Sequence, residues 1–151
     1  MSSTFVYVTY IRAAPQAVWD ALLKPEFTRQ YFFGVTMDSD WKVGSPWKMT
    51  HPDGTVSDAG EVIESDPPKR LVLKWRNEFP NLKPEGFTRC SFDISAEGDL
   101  TKLQVVHEAD MDNSKTIAAV SGGWPKILSG LKTLLETGTA LDTPRRSDTT
   151  A

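Results

Sequence analysis

Cysteine, histidine and metal-binding spacings are all scarce in this sequence. The single cysteine, Cys90, allows no disulfide within the 151 residues, which fits a reducing compartment. The two histidines, His51 and His107, lie far apart, and neither an HExxH nor a CxxC spacing occurs. A Gly-x-Gly-x-x-Gly run and a phosphate loop are also missing. We therefore expect no metal site and no metal or nucleotide cofactor.

Neither a basic patch nor a long apolar run stands out. The chain carries 17 Lys and Arg against 20 Asp and Glu, a net charge of −3, and no basic run stands out except Arg145-Arg146. Binding to a nucleic-acid backbone therefore has little support. The first residues lack the basic and apolar regions of a signal peptide, and no segment is apolar enough to span a membrane. The expectation is a soluble, cytoplasmic protein.

The composition is that of one globular domain with many aromatic rings. A hydrophobic content of 39% and a charged content of 25% are typical of such domains. We expect a single domain over residues 1–142 and a disordered, polar tail over residues 143–151. Five tryptophans are many for this length and indicate a core or cavity walled by aromatic side chains.

A long amphipathic helix near the C-terminus organises the predicted fold. Apolar residues recur there at steps of three and four: Trp124, Ile127, Leu128, Leu131, Leu134 and Leu135. This pattern predicts a helix over residues 124–137 that ends at Gly138. Because proline lacks an amide hydrogen, Pro125 implies that the helix begins near Trp124 or is kinked there. Residues 115–121 also favour a helix, capped by Asn113 or Ser114.

Most of the chain before this helix alternates apolar and polar residues, as strands do. The predicted strands cover residues 5–11, 32–37, 46–50, 56–65, 70–77, 88–95 and 101–109. Gly60 suggests a bulge in the fourth of them. Two short helices, residues 16–23 and 26–31, follow the first strand and meet at Pro25. Short turns between consecutive strands favour an antiparallel sheet. The order predicts an α+β helix-grip fold, a curved sheet of about six to seven strands wrapped around the long helix.

A set of ordered sequence landmarks resembles one known family. The landmarks are Tyr10-Ile11-Arg12-Ala13-Ala14-Pro15-Gln16-Ala17-Val18-Trp19, Asp40-Trp41-Lys42-Val43-Gly44-Ser45-Pro46-Trp47, Gly60-Glu61-Val62, Asp66-Pro67-Pro68-Lys69-Arg70-Leu71 and Gly123-Trp124 with Leu131-Lys132. Over residues 5–141 the chain resembles the solitary bacterial members of the heat-shock protein 90 ATPase activator-like family. That family lies within the START, birch-pollen-allergen and polyketide-cyclase (SRPBCC) superfamily.

The resemblance implies a cavity between sheet and helix, where many superfamily members hold a lipid, steroid, hormone or polyketide. It also implies a possible stress-response role. The family takes its name from a two-domain eukaryotic co-chaperone, and this chain resembles only its C-terminal domain. A role as a chaperone activator therefore does not carry over directly.

Seven residues are the candidates for the wall of such a cavity: Trp47, Trp75, Phe92, His107, Trp124, Leu128 and Leu131. Aromatic side chains of this kind either stack on a flat apolar ligand or fill a core. We predict non-catalytic binding of a small hydrophobic or amphipathic ligand by a monomer or homodimer. One alternative is a protein that interacts with a chaperone, and another is a cyclase or hydrolase.

Any such enzyme would most naturally use His107 as its base, because this residue shares strand parity with Leu103 and Val105. The competing interpretation is a core histidine with satisfied hydrogen bonds. His51 precedes a Pro-Asp-Gly turn, and we expect it to be exposed. Cys90 lacks an activating neighbour on its own face of the strand, and we expect it to be buried and inert.

Overall fold

Seven strands and three helices make up the described part of the chain, residues 2–141 of the computed structural model. In order they are β1 (Ser3–Ile11), α1 (Pro15–Leu23), α2 (Pro25–Tyr31), β2 (Thr36–Asp38), β3 (Pro46–Thr50), β4 (Val56–Asp66), β5 (Arg70–Asn77), β6 (Thr88–Glu97), β7 (Leu100–Ala109) and α3 (Lys115–Thr137). The tail predicted for residues 143–151 lies outside the described residues.

The strands form one antiparallel sheet in the order β1-β7-β6-β5-β4-β3-β2. Every connection from β2 to β7 joins strands that are neighbours in the sheet, as short turns dictate. The exception is β1, which pairs with β7 from the far end of the chain. Helix α3 packs against β1 and β7 and against α1 and α2. The predicted α+β helix-grip fold is confirmed.

Helix α3 is a single helix of 23 residues that includes Pro125. It therefore begins well before Trp124, and the two helical pieces of the prediction are parts of one element. The Ser114 side chain accepts a hydrogen bond from the Ile117 amide at 3.1 Å and caps the N-terminus. Gly138, at φ 85°, ends the helix in the left-handed conformation. Burial of an apolar face along the helix offsets the hydrogen bond lost at proline.

The second strand is shorter than predicted. Residues 32–37 were expected to form it, but β2 starts at Thr36. Phe33 and Gly34 have φ values of 52° and 77°, so the chain turns there before it becomes extended. Phe32 and Val35 are nevertheless buried. The run of apolar residues thus marks core positions in a turn rather than a strand.

Gly60 does not lie at a bulge, contrary to the prediction. It pairs in register with Trp47 of β3 and Trp75 of β5, and the register of β4 against β5 shifts further along, between Val62 and Glu64. A Cβ atom on Gly60 would lie 1.7 Å from the carbonyl oxygen of Lys74. The residue is therefore glycine because the β5 backbone approaches it closely.

Candidate functional site

A cavity of about 120 Å³ lies between the sheet and α3. Apolar side chains and one glycine form most of its wall: Phe32, Phe33, Val35, Met49, Trp75, Leu82, Ala119, Val120, Gly123, Trp124 and Ile127. Polar residues complete it: His51, Ser57, Asp58, Asn77 and Thr116. An apolar hollow with a few grouped polar side chains is the usual form of a small-molecule site.

A strand irregularity brings two neighbouring polar residues to this cavity. Met49 pairs with Asp58 and Thr50 pairs with Val56, so Ser57 is an extra residue in β4. Successive residues of a regular strand face opposite sides of the sheet, but a bulge breaks that alternation. Ser57 and Asp58 are both buried and both line the cavity.

His51 adds a titratable ring to the same group. It lies in the turn between β3 and β4, and its Nε2 is 2.8 Å from the Ser57 hydroxyl oxygen. The prediction of an exposed His51 is therefore wrong, because the turn folds back over the bulge and leaves the ring half-buried. His51 and Ser57 together can donate and accept hydrogen bonds at the edge of the cavity.

Asp58 supplies the one carboxyl group among the lining residues of the cavity and is buried, with 8% of its surface exposed. The Trp75 indole nitrogen donates a hydrogen bond of 2.7 Å to Oδ2, and the Asn77 amide nitrogen lies 3.4 Å from the same oxygen. Burial raises the pKa of Asp58, because desolvation penalises its charged form, while hydrogen bonds from its neighbours act in the opposite direction.

A layer of aromatic rings separates the cavity from the rest of the core. The Trp75 ring centre lies 4.6 Å from that of Trp47 and 5.8 Å from that of Trp124. Trp124 also makes edge contacts with Phe32 at 5.9 Å and Phe92 at 5.8 Å. Trp75 and Trp124 therefore present their rings both to the cavity and to the packed core behind it.

His107 lies within this packed core. Its side chain is fully buried, and both ring nitrogens are hydrogen bonded. The Trp124 indole donates to Nδ1 at 3.2 Å, and Nε2 lies 2.8 Å from the Thr88 hydroxyl oxygen. Desolvation lowers the pKa of His107 to about 3. The ring is neutral and held in place, which is the behaviour of a structural histidine rather than of an available base.

The structure divides the seven predicted wall residues into two groups. Trp75 and Trp124 line the cavity. The other five lie in the buried core and are not among the lining residues: Trp47, Phe92, His107, Leu128 and Leu131. Cys90 is buried as expected, and burial raises its pKa. A role in ligand binding for any of the seven stays a prediction.

The segment between β5 and β6 closes one side of the cavity. Leu82 lines the cavity, and Glu85 follows at the end of a short 3-10 turn. The Glu85 carboxylate accepts hydrogen bonds from the Ser114 hydroxyl at 2.8 Å and from the Lys115 and Thr116 amides at 2.7 and 3.1 Å. A carboxylate at a helix N-terminus is favourable, so this contact holds the segment against α3.

The alternation of residues along β4 could have predicted that Asp58 is buried. Asp58, Gly60 and Val62 alternate along β4, and the last of these is a clear core position. That parity places Asp58 on the buried face. No comparable signal identified Ser57 or His51, because the bulge and the fold of the turn are not visible in the alternation.

Residues 2–141 contain no candidate metal cluster and no candidate membrane-spanning helix. No three side chains of His, Cys, Asp or Glu come together there as a metal site would require. No helix in this range combines the length and the apolar character needed to cross a membrane.

Comparison with known proteins gives a family and a fold. The family model of activator of Hsp90 ATPase homolog 1-like proteins matches residues 12–136. Among curated protein sequences, none matches the chain significantly.

Several solved structures share the fold. CalU16 from Micromonospora echinospora is 19% identical with a TM-score of 0.73, over 91% of this chain and 78% of that one. The Aha1 dimer from Colwellia psychrerythraea, solved in solution, is 21% identical with a TM-score of 0.70, over 90% and 98%. ChR145 from Cytophaga hutchinsonii is 27% identical with a TM-score of 0.69, over 90% and 95%.

Proposed function

The chain belongs to the family of activator of Hsp90 ATPase homolog 1-like proteins, and on that premise we propose that it binds a small apolar or amphipathic molecule without catalysis. The observation that carries the proposal is the cavity between the sheet and α3, with aromatic rings on its walls and polar groups at one end. Such a cavity holds the apolar body of a ligand and fixes its orientation through one or two polar contacts.

The size of the cavity limits the ligand. Cavities of roughly 150 Å³ accept benzene, whereas drug-sized ligands occupy roughly 300–1,000 Å³. At about 120 Å³ the cavity suits a molecule built on a single ring. A larger ligand would have to displace the segment that Glu85 holds against α3, with loss of three hydrogen bonds.

The absence of catalysis is inferred from the state of His107. A general base needs a nitrogen that can reach the substrate and a pKa near the working pH. Both nitrogens of His107 are hydrogen bonded within the core, and its pKa is about 3. A cyclase or hydrolase that uses His107 is therefore a weaker proposal than simple binding.

Two neighbouring alanines of α3 provide a matched test of the cavity. Ala119 lines it and Ala118 is exposed, so the same change to leucine fills the cavity only at Ala119. Titration of a ring-sized probe such as benzyl alcohol, followed by NMR chemical shifts, should show binding to the wild type and to Ala118→Leu. Ala119→Leu should weaken that binding by at least about tenfold.

Two results would contradict the proposal. One is a wild type that binds none of a panel of single-ring molecules at millimolar concentration. The other is binding that is the same in Ala119→Leu and Ala118→Leu, which would place the ligand elsewhere. Thermal unfolding of both variants shows whether the larger side chain has disturbed the fold instead.

One observation favours the alternative function of interaction with a chaperone. Val6, Val8 and Tyr10 project from the same face of β1 and are 53%, 40% and 41% exposed. A row of exposed apolar side chains is a common feature of protein-binding surfaces. Pull-down of purified heat-shock protein 90 by the wild type, lost in Val6→Ser combined with Val8→Ser, would support this function. Equal pull-down of heat-shock protein 90 by the wild type and the double variant would contradict this function.

A further inference from the structure

We propose that the cavity selects small organic cations, in which a single apolar ring carries a protonated amine and the ammonium group is held by Asp58. This inference rests on the proposed function, because it requires that the cavity bind a ligand, and it adds the chemical class of that ligand. It is carried by the placement of one carboxyl group among aromatic rings.

Asp58 has no basic partner of the usual kind. Within residues 2–141, no lysine or arginine forms an ion pair with it. Basic side chains on the adjoining strand β5 are engaged elsewhere. Arg76 lies 2.6 Å from the Glu78 carboxylate, and Lys74 lies over the Phe87 ring at 4.6 Å. Buried charges in proteins are normally paired. His51 acts electrostatically on Asp58, but without a lysine or arginine partner the buried carboxylate still favours a cationic ligand.

Asp58 also has hydrogen-bonding capacity to spare. A carboxylate offers about four acceptor positions. The Trp75 indole donates to Oδ2, the longer contact from Asn77 reaches the same oxygen, and Ser57 adds a side-chain hydrogen bond to the carboxylate. An ammonium group has three donors, so it can use the remaining positions on Asp58 and still reach the nearby Ser57 hydroxyl.

The aromatic walls favour a cation for a second reason. The faces of aromatic rings carry partial negative charge and attract a cation, tryptophan most strongly. Trp75 and Trp124 both line the cavity, together with Phe32 and Phe33. The same rings bury the apolar body of the ligand, so both parts of a ring-bearing amine find suitable surroundings.

Other ligand classes suit the cavity less well. An anion would be repelled by Asp58. A purely apolar molecule would remove water from the carboxyl group and give nothing in return, which is unfavourable. A neutral alcohol or amide can form a hydrogen bond with Asp58, but without the contribution of charge. The test therefore compares a neutral and a cationic ligand of the same shape.

Benzylamine, which is protonated at pH 7, and benzyl alcohol differ little except in charge. Their affinities for the wild type are to be measured by NMR or calorimetry at pH 7 and low ionic strength. We expect benzylamine to bind at least about tenfold more tightly, as a charge-assisted hydrogen bond implies. Asp58→Asn should reduce this ratio to about one.

Asp93→Asn is the matched control. It removes the same charge from a residue that pairs with Arg70 on β5 and does not line the cavity. The preference for benzylamine should persist in this variant. If it is lost equally in both variants, net charge rather than Asp58 determines binding, and the inference is overturned.

The wild type alone also decides the question, even if Asp58→Asn does not fold. Equal affinity for the two probes overturns the cation preference and leaves the proposed function intact. Binding of neither probe overturns both. A preference for benzylamine with NMR contacts between its methylene protons and the Trp75 ring supports the inference at the proposed site.

Discussion

The indole nitrogen of Trp124 donates a hydrogen bond to Nδ1 of His107 at 3.2 Å, and this bond determines the state of the histidine. Because Nδ1 is the acceptor, Nε2 carries the ring proton and donates it to the Thr88 hydroxyl at 2.8 Å. Thr88 in turn donates to the Trp75 carbonyl at 2.9 Å. One chain of hydrogen bonds thus links α3, β7, β6 and β5, and it requires a neutral imidazole.

We expect the protein to lose stability in acid through His107. Its pKa is about 6.5 in the unfolded chain and about 3 in the folded one, so below pH 6.5 only the unfolded state takes up the proton. The stabilisation is complete above pH 6.5 and declines as the pH falls towards 3. The predicted loss is about 3 kcal/mol by pH 4. Urea unfolding at pH 7, 5.5 and 4 measures it.

His107→Gln serves as the control for this prediction. The variant should be less stable at pH 7, because the hydrogen bonds to Thr88 and Trp124 are disturbed. Its stability should depend less on pH between 7 and 4 than that of the wild type. Equal pH dependence in the two proteins would show that other groups cause the acid sensitivity.

Asp58→Asn should stabilise the protein at high pH. Burial raises the pKa of Asp58, so its favourable protonated form is present at low pH and is lost as the pH rises through the folded-state value. Asparagine stays neutral throughout. The expected gain at pH 8 is on the order of 1 kcal/mol in the free energy of unfolding, with a smaller gain at pH 4. A variant less stable than the wild type at pH 8 would mean that the carboxylate stabilises the fold.

Two glycine substitutions should act in opposite directions. Gly60→Ala places a Cβ atom 1.7 Å from the Lys74 carbonyl oxygen and 3.0 Å from the Trp47 indole nitrogen, which binds that oxygen. The strands must move apart, at a cost of about 3 kcal/mol or more. Gly122→Ala meets no atom within 4 Å in helix α3 and should stabilise by about 0.5–1 kcal/mol. Urea unfolding of both variants tests the pair.

Leu131 separates core packing from ligand contact. It is fully buried and does not line the cavity, so Leu131→Ala should cost about 2–5 kcal/mol in stability. The affinity for a ring-sized probe should change by less than about threefold. Val120→Ala enlarges the cavity itself, so the affinity for the probe should change. The loss of stability should be smaller than in Leu131→Ala. A large loss of affinity in Leu131→Ala would show that Leu131 contributes to ligand binding.

The order and nature of the elements follow from local patterns. The strand predictions for residues 46–50 and 70–77 match β3 and β5 to the residue. In β3 the alternation reflects one buried face and one exposed face, whereas β5 also buries Val72 on its second face. The apolar face of α3 was visible from Trp124 to Leu135 for the same reason. Pro125 misled the prediction of where that helix begins, because burial of the helix outweighs one lost hydrogen bond.

The sequence by itself therefore determined the helix-grip fold and most of its core, including the burial of Cys90 and His107. Only the tertiary structure decided the site. The extra residue Ser57 reverses the alternation of β4, and a change of one residue in register moves a side chain to the other face of a sheet. Tertiary contacts likewise occupy both nitrogens of His107 and leave Asp58 beside the cavity without an arginine or lysine. These relationships join residues that are distant in sequence, and no local periodicity encodes such distances.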